Sequence, residues 1–215
     1  MKKIERISGT AAPLLVDNIS TDIISPSILL QSVNADLAGG LFGPWRYLRE
    51  REENPDFVLN DQRFRSAKVL VTGKNFGCGS SREHAVWCLL RYGVQCVIAP
   101  SFGDIFYESA FKNGLVAVTL PEAEVESLAR DLVEANAPQV EVDIRDLTIN
   151  GPLSRVRRFA LDASRRDALL DGLDEIDIIL RQRSAIDDFQ ARAKIERPWL
   201  YPTAAFTAER LRETG

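Results

Sequence analysis

The ten residues from Asn75 to His84 carry the groups in this sequence that are best suited to chemistry. They read Asn-Phe-Gly-Cys-Gly-Ser-Ser-Arg-Glu-His and fall between a predicted strand that ends at Thr72 and a predicted helix that begins near Ser81. Glycines allow a tight turn and let a ligand approach the main chain. The start of a helix presents unpaired N–H groups and the positive end of the helix dipole. Together these features favour an anion-binding turn.

Arg82 indicates which kind of anion the turn would bind. A positive side chain beside amide donors at a helix start is electrostatically unfavourable, and a bound anion would relieve the conflict. Because a planar guanidinium can hold a carboxylate through two charge-assisted hydrogen bonds, a carboxylic acid is the favoured ligand.

Three other interpretations of this turn compete with the first. Ser80 and Glu83 have the spacing of a capping box, in which Ser80 would only satisfy the first turn of the helix, and spacing alone favours this alternative. Gly77 and Gly79 could open a dinucleotide-binding fingerprint, but Arg82 stands where the third glycine belongs. The Gly-Lys-Ser/Thr ending of a phosphate-binding P-loop is also missing from the turn, so both nucleotide interpretations are weak.

The cysteines and the histidine argue against a metal site made by this chain alone. Cys78, Cys88 and Cys96 match neither a paired disulfide framework nor the C-x-x-C pairs of zinc sites. His84 is the one histidine, which leaves too few nitrogen and sulfur ligands for a transition metal. We expect reduced thiols, with Cys88 and Cys96 in the core, and no metal bound by this chain.

Composition indicates a soluble globular protein. The chain has 215 residues, 45% of them hydrophobic and 27% charged, with a net charge of −4, which fits a single domain. Lys and Arg residues are interleaved with Asp and Glu instead of forming a basic stripe, so nucleic acid is an unexpected partner. No signal peptide and no run of about 18 apolar residues is present, which predicts a cytoplasmic protein without a membrane span. We expect one domain over residues 1–202 and a polar tail over 203–215.

The elements that must position the turn are predicted to alternate. The hydrophobic pattern predicts strands at 68–72, 95–99 and 115–118 and helices at 81–92, 102–112 and 122–134. Such alternation predicts an α/β fold with a parallel sheet and right-handed crossovers. Asn150-Gly151 predicts a hairpin between two later strands, and helices follow near 164–171 and 185–193. The breaker-rich part before Phe64 is predicted to form short strands, among them Ile23-Ile24, joined by long loops.

The segment Gly79–His84 resembles the Gly-Ser-Ser-Arg-Glu-His signature of the mobile C-terminal domain of aconitases and of isopropylmalate dehydratase small subunits. Asn54–Asn60 and Ile98–Tyr107 resemble the bacterial small subunits, and Ile186–Trp199 does so more loosely. The resemblance covers nearly the whole chain in order. It implies a swivelling domain with three layers, β/β/α, in which the N-terminal and hairpin segments form the second β layer.

The resemblance also implies an activity and a site. Enzymes of this superfamily are hydro-lyases in which a [4Fe–4S] cluster takes the substrate hydroxyl while a serine alkoxide removes a carbon-bound proton. By the resemblance Ser80 is the catalytic base, Gly79, Ser81 and Arg82 bind the substrate, and Asp22 supports the site. The implied reaction interconverts 2-isopropylmalate and 3-isopropylmalate, dicarboxylates of leucine biosynthesis. Because three scattered cysteines lack the usual ligand spacing, the cluster is expected on a large-subunit partner, without which this chain is inactive.

The segment from Pro26 to Phe42 departs from the family pattern. It lacks the basic residues expected there, which favours a dicarboxylate with an apolar or small side group over citrate. Its apolar side chains face either the substrate or the core; they are Ile28, Leu29, Leu30 and Leu37. The departure leaves open a hydratase for another 2-alkylmalate, of the dimethylmalate or methylcitrate type. A non-catalytic anion-binding module is a third possibility.

Overall fold

The structure, a computed structural model, describes residues 1–31, 34–49, 52–80 and 82–201, without the side chains of residues 30 and 31. The chain divides into two compact units, Met1–Leu173 and Asp174–Gly215. The expectation of one domain over residues 1–202 stays a prediction. The expected polar tail, 203–215, lies outside the described residues.

A mixed sheet forms the frame of the first unit. Its described strands are β1 (Arg6–Leu14), β2 (Val69–Thr72), β3 (Cys96–Ala99), β4 (Val116–Thr119), β5 (Gln139–Asp143), β6 (Thr148–Asn150) and β7 (Val156–Arg158). They lie in the order β4-β3-β2-β1-β5-β6-β7. The pairs from β4 to β1 are parallel, and those from β1 to β7 are antiparallel. The predicted α/β class and the parallel middle sheet are confirmed, and β1 joins the parallel half to the antiparallel half.

Helices connect the parallel strands, as the alternation predicts. The described helices of the first unit are α1 (Thr21–Ile24), α2 (Leu37–Gly40), α3 (Gly43–Arg46), α4 (Glu83–Tyr92), α5 (Asp104–Lys112), α6 (Glu122–Glu134) and α7 (Ala163–Asp171). Short 3-10 helices span Ser27–Gln31 and Val58–Asn60. α4, α5 and α6 follow β2, β3 and β4 in turn, so each parallel strand after β1 leads into a helix. The second unit contains α8 (Glu175–Leu180), α9 (Arg183–Glu196) and the 3-10 helix Pro198–Leu200.

The breaker-rich N-terminal part is not a series of short strands, and that prediction is wrong. One nine-residue strand, β1, is followed by helical turns, and Ile24 ends α1 instead of lying in a strand. The N–H groups of Ile24 and Ser25 donate to the carbonyls of Ser20 and Thr21, while the Ile24 side chain is fully buried. Burial and local hydrogen bonds outweigh the strand preference of two adjacent isoleucines.

The hairpin predicted at Asn150-Gly151 is confirmed: it joins β6 and β7, and its loop is longer than the two residues that an Asn-Gly turn predicts. Asn150 pairs with Val156, so residues 151–155 form the loop. The parallel strands β2 and β3 are buried at every position, as expected for a sheet covered on both faces. Among the described residues, none of the helices is both long and apolar enough to cross a membrane.

Candidate active site

Three loops meet where the parallel strands end. The loops follow β1, β2 and β3, and the carboxyl ends of neighbouring parallel strands lie at the same edge of a sheet, where α/β proteins bind ligands. The N–H of Gly77 donates to the carbonyl of Ile19 (2.7 Å), and the N–H of Thr21 donates to the carbonyl of Cys78 (2.9 Å). The N–H of Gly103 donates to the carbonyl of Phe76 (2.9 Å). The loops therefore keep the order of their strands beyond the end of the sheet.

Gly77 and Gly103 allow these loops to approach one another. Gly77 has a φ of +74°, and a Cβ atom there would lie 2.2 Å from the ring of Phe106. A Cβ atom on Gly103 would lie 2.7 Å from the carbonyl oxygen of Gly77. The rings of Phe76 and Phe106 meet edge to face, with centroids 5.2 Å apart. Packing of this closeness gives the turn a rigid base.

Two asparagines join the first loop to the second. Asn18 and Asn75 both have a positive φ, 57° and 58°, a conformation that asparagine tolerates better than most residues. The Asn75 Nδ2 donates to the Asn18 Oδ1 at 2.7 Å. The main-chain N–H of Asn75 also donates to the Oγ of Ser101 in the third loop (2.9 Å). This contact network holds the second loop between the other two.

Ser80 lies exposed at the end of the turn, against Thr21 of α1. The buried Thr21 Oγ1 donates to the carbonyl oxygen of Ser80 at 2.9 Å and lies 3.4 Å from the Ser80 Oγ. Helix α4 begins at Glu83 with Arg82 in the N-cap position. The capping-box interpretation of Ser80 is therefore wrong, because hydrogen bonds to α1 hold the turn extended and delay the start of the helix.

Arg82 is paired with Asp22. The Arg82 Nη1 forms an ion pair with the Asp22 Oδ1, and the Arg82 side chain is 23% exposed while that of Asp22 is 55% exposed. Gly79, in the loop after β2, has a φ of +96° and is exposed next to Ser20 and Thr21 of the loop after β1. Ser81, the other expected substrate ligand, lies outside the described residues. The structure thus brings Gly79, Ser80, Arg82 and Asp22 to one edge of the sheet.

A groove of about 600 Å³ runs beside Arg82, between α4 and α5. Trp87 and Ile105 contribute apolar walls, and Glu108 and Lys112 contribute charge. Grooves of this size accept small molecules.

The thiols do not fit a four-iron cluster, which needs several thiolate ligands. Cys78 is half-buried in the turn, whereas Cys88 and Cys96 lie in the core, as expected. Burial raises the pKa of both the Cys96 and the Cys88 thiol, which opposes thiolate formation. Within the described ranges, no three His, Cys, Asp or Glu side chains are arranged to hold a metal ion.

Glu83 and His84 make the contacts of a helix start. The Glu83 Oε1 accepts a long hydrogen bond (3.4 Å) from the Asn113 Nδ2, and Asn113 also accepts from the Trp87 Nε1. The His84 ring packs against Trp87, with centroids 4.6 Å apart. These contacts tie α4 to the end of α5.

Three contributors to the site were missed by the sequence reasoning. The hydrogen bond from Thr21 to Ser80, the Asn18 contact and the Phe106 packing all join residues that are far apart in the chain. Of these three, only Thr21 could have been anticipated from the sequence, because it is the neighbour of the predicted site residue Asp22.

The fold and the site define a class of protein. Residues 1–123, which include β1 to β4 and every site residue described above, match the family of the aconitase C-terminal domain. The chain belongs to that family.

Its relatives define the family more narrowly. The chain is 47% identical to the 3-isopropylmalate dehydratase small subunit of Dinoroseobacter shibae, over 93% of this chain and 100% of that protein. It is 44% identical to the small subunit of Rhodospirillum rubrum, over 93% and 97%. The crystal structure of 3-isopropylmalate dehydratase from Methanocaldococcus jannaschii is similar, with a TM-score of 0.60 and 25% identity over 86% of this chain and 99% of that one. The chain belongs to the family of 3-isopropylmalate dehydratase small subunits.

Proposed function

We propose that this chain is the small subunit of a heteromeric hydro-lyase that interconverts 2-isopropylmalate and 3-isopropylmalate by dehydration and rehydration, in the cytoplasm, as a step of leucine biosynthesis. The proposal is supported by the 44–47% identity to small subunits of this dehydratase, which extends over 93% of this chain. The arrangement of Ser80, Arg82, Asp22 and Thr21 at one sheet edge gives the chain a place for its part of the chemistry.

In the proposed mechanism the Ser80 Oγ removes the carbon-bound proton of the substrate. A serine hydroxyl is a very weak acid, so the alkoxide form requires nearby positive charge and hydrogen-bond donors. Arg82 is two residues away in the chain, the Thr21 hydroxyl lies 3.4 Å from the Ser80 Oγ, and α4 begins three residues after Ser80, at Glu83. All three favour a negative charge on the Ser80 oxygen.

Arg82 is proposed to bind one carboxylate of the substrate. A guanidinium has five N–H donors, and the ion pair with Asp22 is at Nη1. The pairing with Asp22 thus restrains the guanidinium and leaves its other N–H donors for a substrate carboxylate. Gly79 and Ser81 are proposed to contact substrate oxygens, with Gly79 leaving its main chain accessible.

The partner is proposed to be a large subunit that bears the [4Fe–4S] cluster, because the thiols of this chain do not fit one. When bound, such a cluster supplies a Lewis acid for the hydroxyl that leaves. The role of this chain is then to present the Ser80 Oγ and the Arg82 guanidinium to a substrate held between the two subunits. The exposed position of Ser80 suits that role.

The side group of the substrate is proposed to be apolar. Ile28 is 65% exposed in the segment that departs from the family pattern, whereas Leu29 and Leu37 pack partly against the core; the Leu30 side chain lies outside the described residues. The names of the relatives favour isopropylmalate over a dimethylmalate or methylcitrate type of substrate. Turnover of these compounds by the assembled enzyme distinguishes them.

Replacement of Ser80 tests the catalytic assignment. In the complex with the large subunit, Ser80→Ala should lower the turnover of 3-isopropylmalate by about 10²–10⁴-fold, the usual contribution of a general base. The melting temperature should change little, since Ser80 is exposed. Ser8→Ala, an exposed serine on β1, serves as the control and should keep normal turnover. Near-normal turnover in Ser80→Ala would remove Ser80 from the mechanism.

A further inference from the structure

The second unit exposes an unusual amount of apolar surface. Eight large apolar side chains between Asp174 and Tyr201 are from 37% to 82% exposed, and they make up nearly half of such side chains in the described parts of the chain. On α8 the exposed residues Ile176, Ile179 and Leu180 follow the i, i+3, i+4 spacing of one helix face. The apolar face of such a helix is normally buried against another surface.

The helices that carry this surface are well defined. Asp174 and Asp177 form a capping box at the start of α8, with each side chain accepting from the main-chain N–H of the other residue. Helix α9 runs for 14 residues and leads into the 3-10 helix at Trp199. Most of these apolar side chains thus stand on hydrogen-bonded helices.

The chemistry around the apolar face indicates a protein partner. Charges of both signs flank it, such as the ion pair between Arg183 and Asp187 (3.7 Å). A membrane-surface helix or a nucleic-acid site would need an excess of basic residues. An apolar centre with a rim of mixed charge is the usual composition of a protein–protein interface.

The sequence beyond Tyr201 is poor in large apolar residues. Residues 202–215 contain two large apolar side chains, Phe206 and Leu211. The match to the D. shibae small subunit covers 93% of this chain and all of that protein, so it reaches into residues 174–201. The region aligned with this small subunit therefore includes these residues, and a larger subunit is the partner that the name implies.

We propose that the exposed apolar side chains of the second unit are a docking surface for the large subunit, with the α8 face of Ile176, Ile179 and Leu180 at its centre and with Phe189 and Ile195 of α9 and Trp199 of the 3-10 helix contributing to it. The inference rests on the proposed function, because it takes its partner from it. The face holds the partner without taking part in the chemistry, which belongs to the sheet edge of the first unit. Replacement of these apolar side chains should weaken binding to the large subunit and leave the turnover of the assembled enzyme unchanged.

The test is direct measurement of binding between the full chain and the purified, cluster-loaded large subunit. The double variant Ile176→Gln/Ile179→Gln keeps helix propensity, since glutamine is at least as good a helix former as isoleucine. We expect its Kd to rise about tenfold or more, and we expect a similar rise for Phe189→Gln/Ile195→Gln. Turnover at saturating large subunit should equal that of the unchanged chain. Val133→Gln, a comparably exposed apolar residue on α6, is the matched control and should bind normally.

The other outcomes overturn the proposal in distinct ways. An unchanged Kd, or no binding by the unchanged chain, would exclude this docking surface. A lower melting temperature of the isolated double variant would show that the chain covers the face itself. Loss of self-association in the variant without a change in Kd would assign the face to a second copy. Because binding is measured apart from turnover, a complex that assembles normally but does not dehydrate 3-isopropylmalate contradicts the proposed function and not the docking surface.

Discussion

At the scale of single residues, the contact between Thr21 and Ser80 constrains where the protons lie. A threonine hydroxyl has one hydrogen, and the Thr21 Oγ1 directs it to the Ser80 carbonyl oxygen at 2.9 Å. Toward the Ser80 Oγ, 3.4 Å away, Thr21 can then act only as an acceptor. An alkoxide on Ser80 would reverse this preference, because it attracts the Thr21 hydrogen. In the proposed mechanism, Thr21 would therefore hold the turn in the resting protein and donate to the Ser80 oxygen after Ser80 loses its proton.

We expect Thr21→Val to separate these two roles from simple packing. Valine keeps the shape but removes the hydroxyl, so turnover of the assembled enzyme should fall about tenfold or more, while the free energy of unfolding falls by about 1 kcal/mol. Thr21→Ser restores the hydroxyl and should recover most of the turnover. The measurement is kcat and the melting temperature on the same preparations. Equal turnover in the valine and serine variants would show that the hydroxyl has no part in catalysis.

The sequence predicted the members of this site better than their contacts. Ser80, Arg82 and Gly79 are adjacent in one motif, so their closeness follows from the chain itself. The Thr21 contact joins residues 59 positions apart, which no local pattern encodes. The same contact explains why the capping-box prediction for Ser80 failed, since spacing describes a local preference and the hydrogen bonds to α1 compete with it.

At the scale of elements, strand β1 links the site to the antiparallel half of the sheet. Its carboxyl end leads to Thr21, while Arg6 at its other end contacts Asp143 of β5 at 2.8 Å. Asp143 also accepts hydrogen bonds from the main-chain N–H groups of Arg145 and Asp146, both at 2.9 Å. One buried carboxylate therefore holds the β5–β6 turn and the start of β1 together.

The Asp143 carboxylate should make stability depend on pH. Burial by itself raises its pKa, but the hydrogen bonds from Asp146, Arg6 and Arg145 outweigh burial and lower the pKa below the ordinary value. A lowered pKa in the folded state adds stability above the unfolded pKa of about 3.9, and this stability is lost as the pH falls through the folded value.

We expect Asp143→Asn to lower the free energy of unfolding by about 1.5–3 kcal/mol near pH 7, because asparagine lacks the charge that these donors bind. The difference from the unchanged chain should shrink as the pH falls below about 4, where the aspartate itself becomes protonated. Denaturant unfolding at several pH values measures both effects. Asp56→Asn, on an exposed loop, is the control. A difference that stays constant down to acid pH would mean that packing, not charge, explains the loss.

The elements were predictable where hydrophobic period and burial agree. Strands β2 and β3 are continuous apolar runs between clear breakers, and their parallel pairing follows from the helices between them. The part before Phe64 was not predictable in this way, since its short apolar pieces are set by tertiary packing. Ile23-Ile24 has strand-forming residues but forms a helical turn, because the main chain bonds locally while Ile24 enters the core.

At the scale of the whole molecule, the positions of the thiols bear on the proposed roles of this chain and a large subunit. Cys88 and Cys96 support the core, and their raised pKa values make them poor metal ligands. Cys78 is half-buried beside the exposed Ser80. In the proposed function this chain presents Ser80 to a cluster that the partner holds, because one accessible thiol is not enough to hold a cluster.

We expect anaerobic treatment of the isolated chain with iron and sulfide to leave it without a stable four-iron cluster, and the same treatment of the assembled complex to give one. Iron and sulfide analysis with visible absorbance measures both. Thiol counting on the isolated chain should find Cys78 reactive in the native state, with Cys88 and Cys96 reacting only after denaturation, because burial raises their pKa and blocks the reagent. Cys78→Ser in the complex is the decisive control: the cluster should still form if the partner supplies its ligands. A stable cluster on the isolated chain that disappears in Cys78→Ser would instead place ligation on this chain and contradict the division of labour proposed for the two subunits.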